Sequence, residues 1–338
     1  ITYKENSLEI IATDLEVSLK IYLQAKTEGE GDFCISTKQL FEVVKELPNS
    51  ELSLSIDQNS NQVHLDCENV HFTLLVIGTS EFPRIDFMAH STEFELAKSE
   101  IKKIIQKCSF AISSDETRVN LNGIYLQKFN QNTLRSVAID GHRLAMIDLS
   151  RNDVENQALH GGCIVPKKGI SELARLSDSL DENMLKVSLD ESNICFRVPD
   201  KYHLAIQLIA REYPKYSAVI PPKTAYNFVV DREALLSAVK RVKILANEKN
   251  NGIKFHLQSS TCLLSTSHPT HGEAKEDISI NYEGDDIEIG FNAKYLIDNL
   301  SVLNDGKVTF EFNNELSPVI VKGQEDPEFL GIIMPLKL

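Results

Sequence analysis

A long-period repeat constrains this chain more than any other feature of its sequence. A short strand end, a polar cap, a lysine and an amphipathic helix recur at Ile35-Ser-Thr-Lys38-Gln-Leu40, Val165-Pro-Lys-Lys168-Gly-Ile170 and Phe291-Asn-Ala-Lys294-Tyr-Leu296, with the lysines 130 and 126 residues apart. Each helix is followed by two short alternating segments that read as antiparallel strands: Leu52–Ile56 and Val63–Cys67, Leu185–Leu189 and Ile194–Val198, Val308–Phe312 and Val319–Val321. Each copy closes on an aromatic or methionine before proline, at Phe82-Pro83, Tyr213-Pro214 and Met334-Pro335.

A second helix opens the later two copies. Ile101, Ile104, Ile105 and Cys108 fall on one helical face, as do Leu235, Leu236, Val239 and Val242, with Asp231 as the N-cap of the latter helix. The unit is therefore helix, strands, helix, strands. This predicts an α+β fold of three tandem two-layer domains, helices on antiparallel sheets, at residues 1–89, 90–221 and 222–338. The first copy starts directly in a strand, Ile1-Thr-Tyr, and begins with Ile rather than Met, so it reads as truncated at its N-terminus, without an opening helix.

Charge is distributed unevenly over these elements. The chain of 338 residues carries a net charge of −14, which argues against indiscriminate binding to nucleic acid. Yet residues 98–107 and 232–243 each carry +3 and residues 165–176 carry +2, while the helices at 36–47 and 291–303 are neutral, so the remainder holds −22. Lysine is a good helix former and any one such helix is ordinary. Repeated on one side of an arc, the three would form a positive surface for a polyanion, and an acidic exterior would discourage binding elsewhere.

Several chemistries are excluded. There is no phosphate-binding glycine loop, dinucleotide fingerprint, His-Glu-x-x-His or Gly-x-Ser-x-Gly, and no stretch of about 18 apolar residues that would span a membrane. The start lacks the pattern of a signal peptide, so a cytoplasmic protein is expected. Six cysteines stand tens of residues apart with no Cys-x-x-Cys pair, which suits neither a disulfide framework nor a zinc knuckle. His268-Pro-Thr-His271 is a weak metal pair in a loop. No cofactor and no metal are expected.

Two strings stay unexplained by the fold alone. Asp140-Gly-His142-Arg143 places an acid, a base and a cation within four residues, an enzyme-like set in which Asp140 would orient His142, but no nucleophile stands nearby and a structural turn or a binding surface is the favoured reading. The tail, Ile332-Ile-Met-Pro-Leu-Lys-Leu338, is unusually apolar for a chain end and suits an adaptable surface groove.

Taken together, Ala-Ile-Asp-Gly-His-Arg-Leu-Ala at 138–145, Asn122-Gly123, Asn247-Glu-Lys249, Ile289-Gly-Phe-Asn292 and the terminal Met-Pro-Leu-Lys-Leu resemble the β subunit of bacterial DNA polymerase III, the replicative sliding clamp, over the whole chain. The resemblance implies a non-enzymatic processivity factor: a head-to-tail homodimeric ring of six domains whose helices line a hole that encircles duplex DNA. Lys98, Lys102, Lys103, Lys107, Lys167, Lys168, Arg175, Lys240, Arg241 and Lys243 would face the DNA, with Arg118 on a loop near the hole.

The resemblance also implies a hydrophobic pocket that captures short linear motifs of the replicative polymerase, the clamp loader and repair proteins. Its residues here would be Leu121, Ile139, Gly141, His142, Arg143, Leu144, Pro214, Val219, Ile332, Met334, Pro335 and Leu336. Ile139 departs from a common Thr and Ala218 from a common Arg, which bears on peptide preference. Ring closure would join Ile244 and Leu245 of the third domain to Phe72 and Leu74 of the first. A hydrolase-type enzyme using Asp140 and His142, and a monomeric repeat scaffold without a DNA role, are the alternatives.

Overall fold

The computed structural model describes residues 1–57, 60–88, 93–151, 153, 157–248 and 250–337. The expected junction at 89/90, Lys249 and Leu338 lie outside the described residues.

Among the described residues six helices punctuate the strands: α1 (Thr37–Glu46), α2 (Lys98–Cys108), α3 (Gln157–Gly161), α4 (Lys167–Ser179), α5 (Arg232–Val242) and α6 (Ala293–Ser301). Local chemistry fixes their starts. The Asp231 carboxylate accepts from the Ala234 N–H at 2.8 Å, and the Asn292 side chain accepts from Lys294 and Tyr295, so orphan donors at the helix mouths are satisfied. At α2 the Glu100 carboxylate reaches back to the Ala97 N–H at 2.8 Å. The faces expected to be apolar are buried, with Ile101, Ile104 and Cys108 in α2 and Leu235, Leu236, Val239 and Val242 in α5. Helix α2 packs on α4 and α5 on α6, each pair lying over sheet residues of one continuous core.

The strands among the described residues form four antiparallel sheets whose order shows how the repeats join. In the eight-stranded sheet Val17–Gln24 of the first repeat pairs with Tyr202–Gln207 of the second, Leu19 opposite Leu204. In the nine-stranded sheet Arg143–Ser150 of the second repeat pairs with Asp326–Ile333 of the third, Ala145 opposite Gly331. Each seam is therefore the same event: the strand that follows the Asp14 or Asp140 turn of one repeat takes the last strand of the next. Among the edge strands with no second partner among the described residues are two from the outer repeats, Gly272–Ser279 of the four-stranded sheet and Val70–Leu75 of the three-stranded sheet.

The first repeat departs from the other two in one respect. No helix packs against α1 among the described residues, and its Phe41 and Val44 are 65% and 45% exposed, whereas the corresponding faces of α4 and α6 are covered by α2 and α5.

Candidate peptide groove and basic helix faces

The turn between Thr133–Ile139 and Arg143–Ser150 is built by Asp140. Its carboxylate accepts from the backbone N–H groups of His142 and Arg143 at 2.9 and 3.0 Å, and Gly141 takes φ +93°, a conformation that L side chains rarely adopt. A Cβ at residue 141 would also stand 2.7 Å from Arg118 Nη1, which puts Arg118 against this turn. Arg143 is 8% exposed; its guanidinium donates to Asp140 at 2.9 Å and to Asp298 of α6 at 2.5 Å, and lies 4.5 Å from the Tyr295 ring centroid. The cation thus ties the second repeat to the third. The enzyme-like reading fails on this geometry, because the Asp140 carboxylate serves the turn and Arg143 rather than the His142 ring.

The chain end lies beside that turn. The Met334 N–H donates to the His142 carbonyl and the Leu336 N–H to the Gly290 carbonyl, both at 2.8 Å, so the tail is laid along the seam as extended backbone. Leu121, Leu144 and Ile332 are buried. Ile139, Pro214, Val219, Met334, Pro335 and Leu336 are half-buried, and Gly141 and His142 are exposed. Leu144 and Ile332 meet Tyr213 and Tyr216 in a separate apolar cluster, with Ile139 and Val219 packed on its side. Burial pushes the Tyr213 phenol well above its ordinary range, and its hydroxyl donates to the Val137 carbonyl at 3.3 Å. Of the twelve residues expected at the pocket, Ile139, Leu144, Val219 and Ile332 share this cluster, and Gly141, His142, Arg143, Met334 and Leu336 lie on the turn or on the tail segment bonded beside it.

Sequence reasoning missed Tyr295, whose ring stacks on His142 at 6.0 Å, and Asp298, the second carboxylate on Arg143. Both sit on α6 next to the repeated lysine, and only the packing of α6 on the turn gives them a place there. Two hollows lie outside the groove's lining, one of about 660 Å³ between Glu16, Glu116, Lys167, Lys168 and Gln207, and one of about 410 Å³ between Tyr125, Asp190, Arg211 and Tyr213.

The basic helices need one correction. Lys107 cannot face DNA: it is 3% exposed, and its ammonium is held by the Val302 carbonyl and the carboxylate of Asp326, itself fully buried. Several other candidates are offset by acids. Lys102 pairs with Asp178, Lys103 with Glu328, Lys168 with Asp14 and Glu16, Arg175 with Glu172, Arg241 with Glu276 and Arg118 with Asp115. Lys98 donates to the Leu180 carbonyl. Among the described residues Lys167, Lys240 and Lys243 have no ion-pair partner, and Lys167 and Lys240 are exposed.

The residues expected at a ring contact are apolar and open. Ile244 is 79% exposed, Phe72 37%, and Leu74 and Leu245 are half-buried. The His268 and His271 ring centroids lie 4.4 Å apart with the rings tilted at 33°, but among the described residues no group of three or more His, Cys, Asp or Glu could hold a metal ion. No helix among them is long and apolar enough to cross a membrane.

Three alike α+β units joined edge to edge, with cations on helices and an apolar groove at a seam, define a repeat-built DNA clamp. The comparisons agree throughout the chain. The models of the DNA polymerase III beta subunit match in order, the N-terminal domain at residues 1–86, the central domain at 95–215 and the C-terminal domain at 217–337. The chain belongs to this family. The N-terminal model takes in the first repeat from residue 1, so the expected truncation of that repeat is not borne out.

A beta sliding clamp of Pseudomonas putida is 33% identical over 332 residues, covering 98% of this chain and 89% of the relative. One of Rickettsia felis is 30% identical over 347 residues, covering 99% and 90%. Among solved structures, the DNA polymerase sliding clamp of Pseudomonas aeruginosa matches with a TM-score of 0.90 at 29% identity, covering 100% of this chain and 91% of that one. A Bartonella birtlesii clamp solved with griselimycin bound matches with a TM-score of 0.92 at 28% identity, covering 100% and 90%. The family encircles DNA, binds polymerase partners and is a non-catalytic accessory, so this chain is a processivity factor of DNA polymerase III and not an enzyme.

Proposed function

We propose that two copies of this chain close head to tail into a ring around duplex DNA, and that the seam between the second and third repeats captures short hydrophobic linear motifs of DNA-processing proteins. The observation that carries the ring is the repeated seam. Val17, Leu19 and Ile21 oppose Ile206, Leu204 and Tyr202 at the first seam; Arg143, Ala145 and Ile147 oppose Ile333, Gly331 and Phe329 at the second. Carrying that register to the two free edges sets Gly272, Ala274 and Glu276 opposite Leu74, Phe72 and Val70 of a second copy. Edge strands left unpaired are templates for such addition, and a contact between different surfaces closes only if the rotation per repeat fits. The exposed Ile244 and Phe72 lie beside these edges, as a buried ring contact requires.

Within the ring, Lys167, Lys240 and Lys243 supply the unpaired positive charge for phosphates, with the paired lysines and arginines able to exchange partners. Contacts of this kind carry no sequence information and let a topologically held ring slide. In the groove, Ile139, Pro214, Val219 and Met334 receive a few apolar anchors while the tail offers backbone, the arrangement by which short motifs gain most of their affinity from few side chains. The replicative polymerase, clamp loader and repair proteins are the partners of this reading.

The test is fluorescence anisotropy with a labelled peptide of the Gln-Leu-x-Leu-Phe type. Saturable binding that disappears when the chain is cut after Ile333 supports the groove. Absence of binding by a folded chain excludes it.

A further inference from the structure

Two polar clusters bracket the strand pair that joins the second and third repeats. At the groove end Arg143 bridges Asp140 and Asp298. At the far end Lys107, in the last turn of α2, donates to Asp326 and to the Val302 carbonyl, and its ammonium lies 5.6 Å from the Phe329 ring centroid. Asp326 also accepts from the Asn304 backbone N–H at 2.6 Å and from its side-chain amide at 2.8 Å. One turn earlier on the same helix, Lys103 pairs with Glu328 of the same strand. Lys107 belongs to the second repeat and all its partners to the third.

A buried ion pair is weak evidence for net stability, but it is exacting about geometry, because any displacement leaves a charge without solvent or partner. The strand that starts at Asp326 runs to Ile333, with a register irregularity against Val319–Gly323 between Asp326 and Gly331, and delivers Met334 to the His142 carbonyl. Its residues Phe329–Ile333 are paired with Arg143–Ile147, so a displacement where Lys107 holds the strand is passed toward the groove end. At the turn end of the first seam, Lys168 pairs with Asp14 and Glu16 and is open to water, hence lax.

We propose that Lys107 is a positioning residue for the groove: by holding Asp326 it fixes the angle between the second and third repeats, and so sets Ile332 and Met334 against Leu144 and Val219. This rests on the groove reading above.

The experiment measures affinity for the labelled Gln-Leu-x-Leu-Phe peptide and melting temperature side by side. Lys107→Met leaves Asp326 unpaired, and is expected to lower the melting temperature and weaken binding about tenfold. Lys107→Met with Asp326→Leu removes both charges and is expected to recover the melting temperature while binding stays at least about fivefold weaker. Asp326→Asn, which keeps the size but loses the charge and one of the two oxygens that accept from Asn304, gives the same weakening in a second background. Lys254→Met, in an exposed pair with Glu288, binds as the wild type does. A double variant with both wild-type melting and wild-type affinity overturns the proposal, leaving the pair a role in stability alone. A folded wild-type chain that binds no peptide overturns the groove reading instead, and this inference with it.

Discussion

The backbone N–H of Met334 donates to the carbonyl of His142 at 2.8 Å. The two residues are far apart in sequence and belong to different repeats, yet this bond makes the end of the chain one wall of a groove whose other wall is the Asp140 turn. A free terminus is ordinarily frayed; here it is continued from a sheet strand and fastened again at Leu336. The binding surface is consequently a property of the seam and not of either repeat.

Met334→Ala should weaken the peptide about tenfold without altering the fold, because it removes a half-buried, adaptable wall while keeping the backbone bond to His142. Titration by anisotropy, with circular dichroism as the control, checks this. An unchanged affinity would remove Met334 from the groove.

Arg143→Ala should cost about 3–5 kcal/mol of stability, since it leaves the Asp140 and Asp298 carboxylates without their shared cation in a largely buried place. Urea denaturation reads the loss directly. A loss below about 1 kcal/mol would mean that the turn holds itself together through its own backbone bonds.

Lys240→Glu with Lys243→Glu should reduce DNA retention more than Lys102→Glu with Lys103→Glu. The former pair has no acidic partners to share with phosphate, whereas Lys102 and Lys103 already serve Asp178 and Glu328. Retention measured against salt should show a shallower slope for the first variant, by roughly one for each phosphate that is no longer neutralised. Peptide affinity should be unchanged in both.

Ile244→Lys should yield a monomer. The residue is 79% exposed in the single chain, so the substitution costs little in folding, but it would bury an unpaired charge in the ring contact. Sedimentation across the micromolar range distinguishes the two masses, and an undiminished dimer would displace Ile244 from that interface.

Stability should fall with acid through His203. Burial first, then the nearby Arg197 and Lys20 charges, hold its imidazole below the ordinary 6.5. The unfolded chain therefore binds the proton more readily, and stability present above about pH 6.5 is lost as the pH drops toward the folded value. His203→Gln should flatten that limb of the curve in denaturant titrations at stepped pH.

Much of this architecture is legible from local pattern. The faces of α2 and α5 follow from apolar spacing and are buried, because a two-layer unit must hide one face of each helix. The Asp231 N-cap follows from one residue type at one place. The residues at Asp140 read as a structural turn or a binding surface, but their roles do not: Arg143 could be a phosphate contact, a catalytic cation or a strut, and only its burial between Asp140 and Asp298 makes it a strut. Lys107 is the clearest failure. By composition it belongs with the other lysines of α2, and nothing local distinguishes it; the start of a strand more than two hundred residues later turns it inward.

By itself, then, the sequence determined the threefold repeat, the helix faces, the excess of cations on three helices and the membership of a clamp family, since these depend on periodicity and on the residues themselves. The tertiary structure alone decided which cations are free, which are committed to carboxylates, and how the tail meets the turn. The physical reason is that charge and exposure are set by what packs opposite, and in this chain the opposing surface comes from the neighbouring repeat.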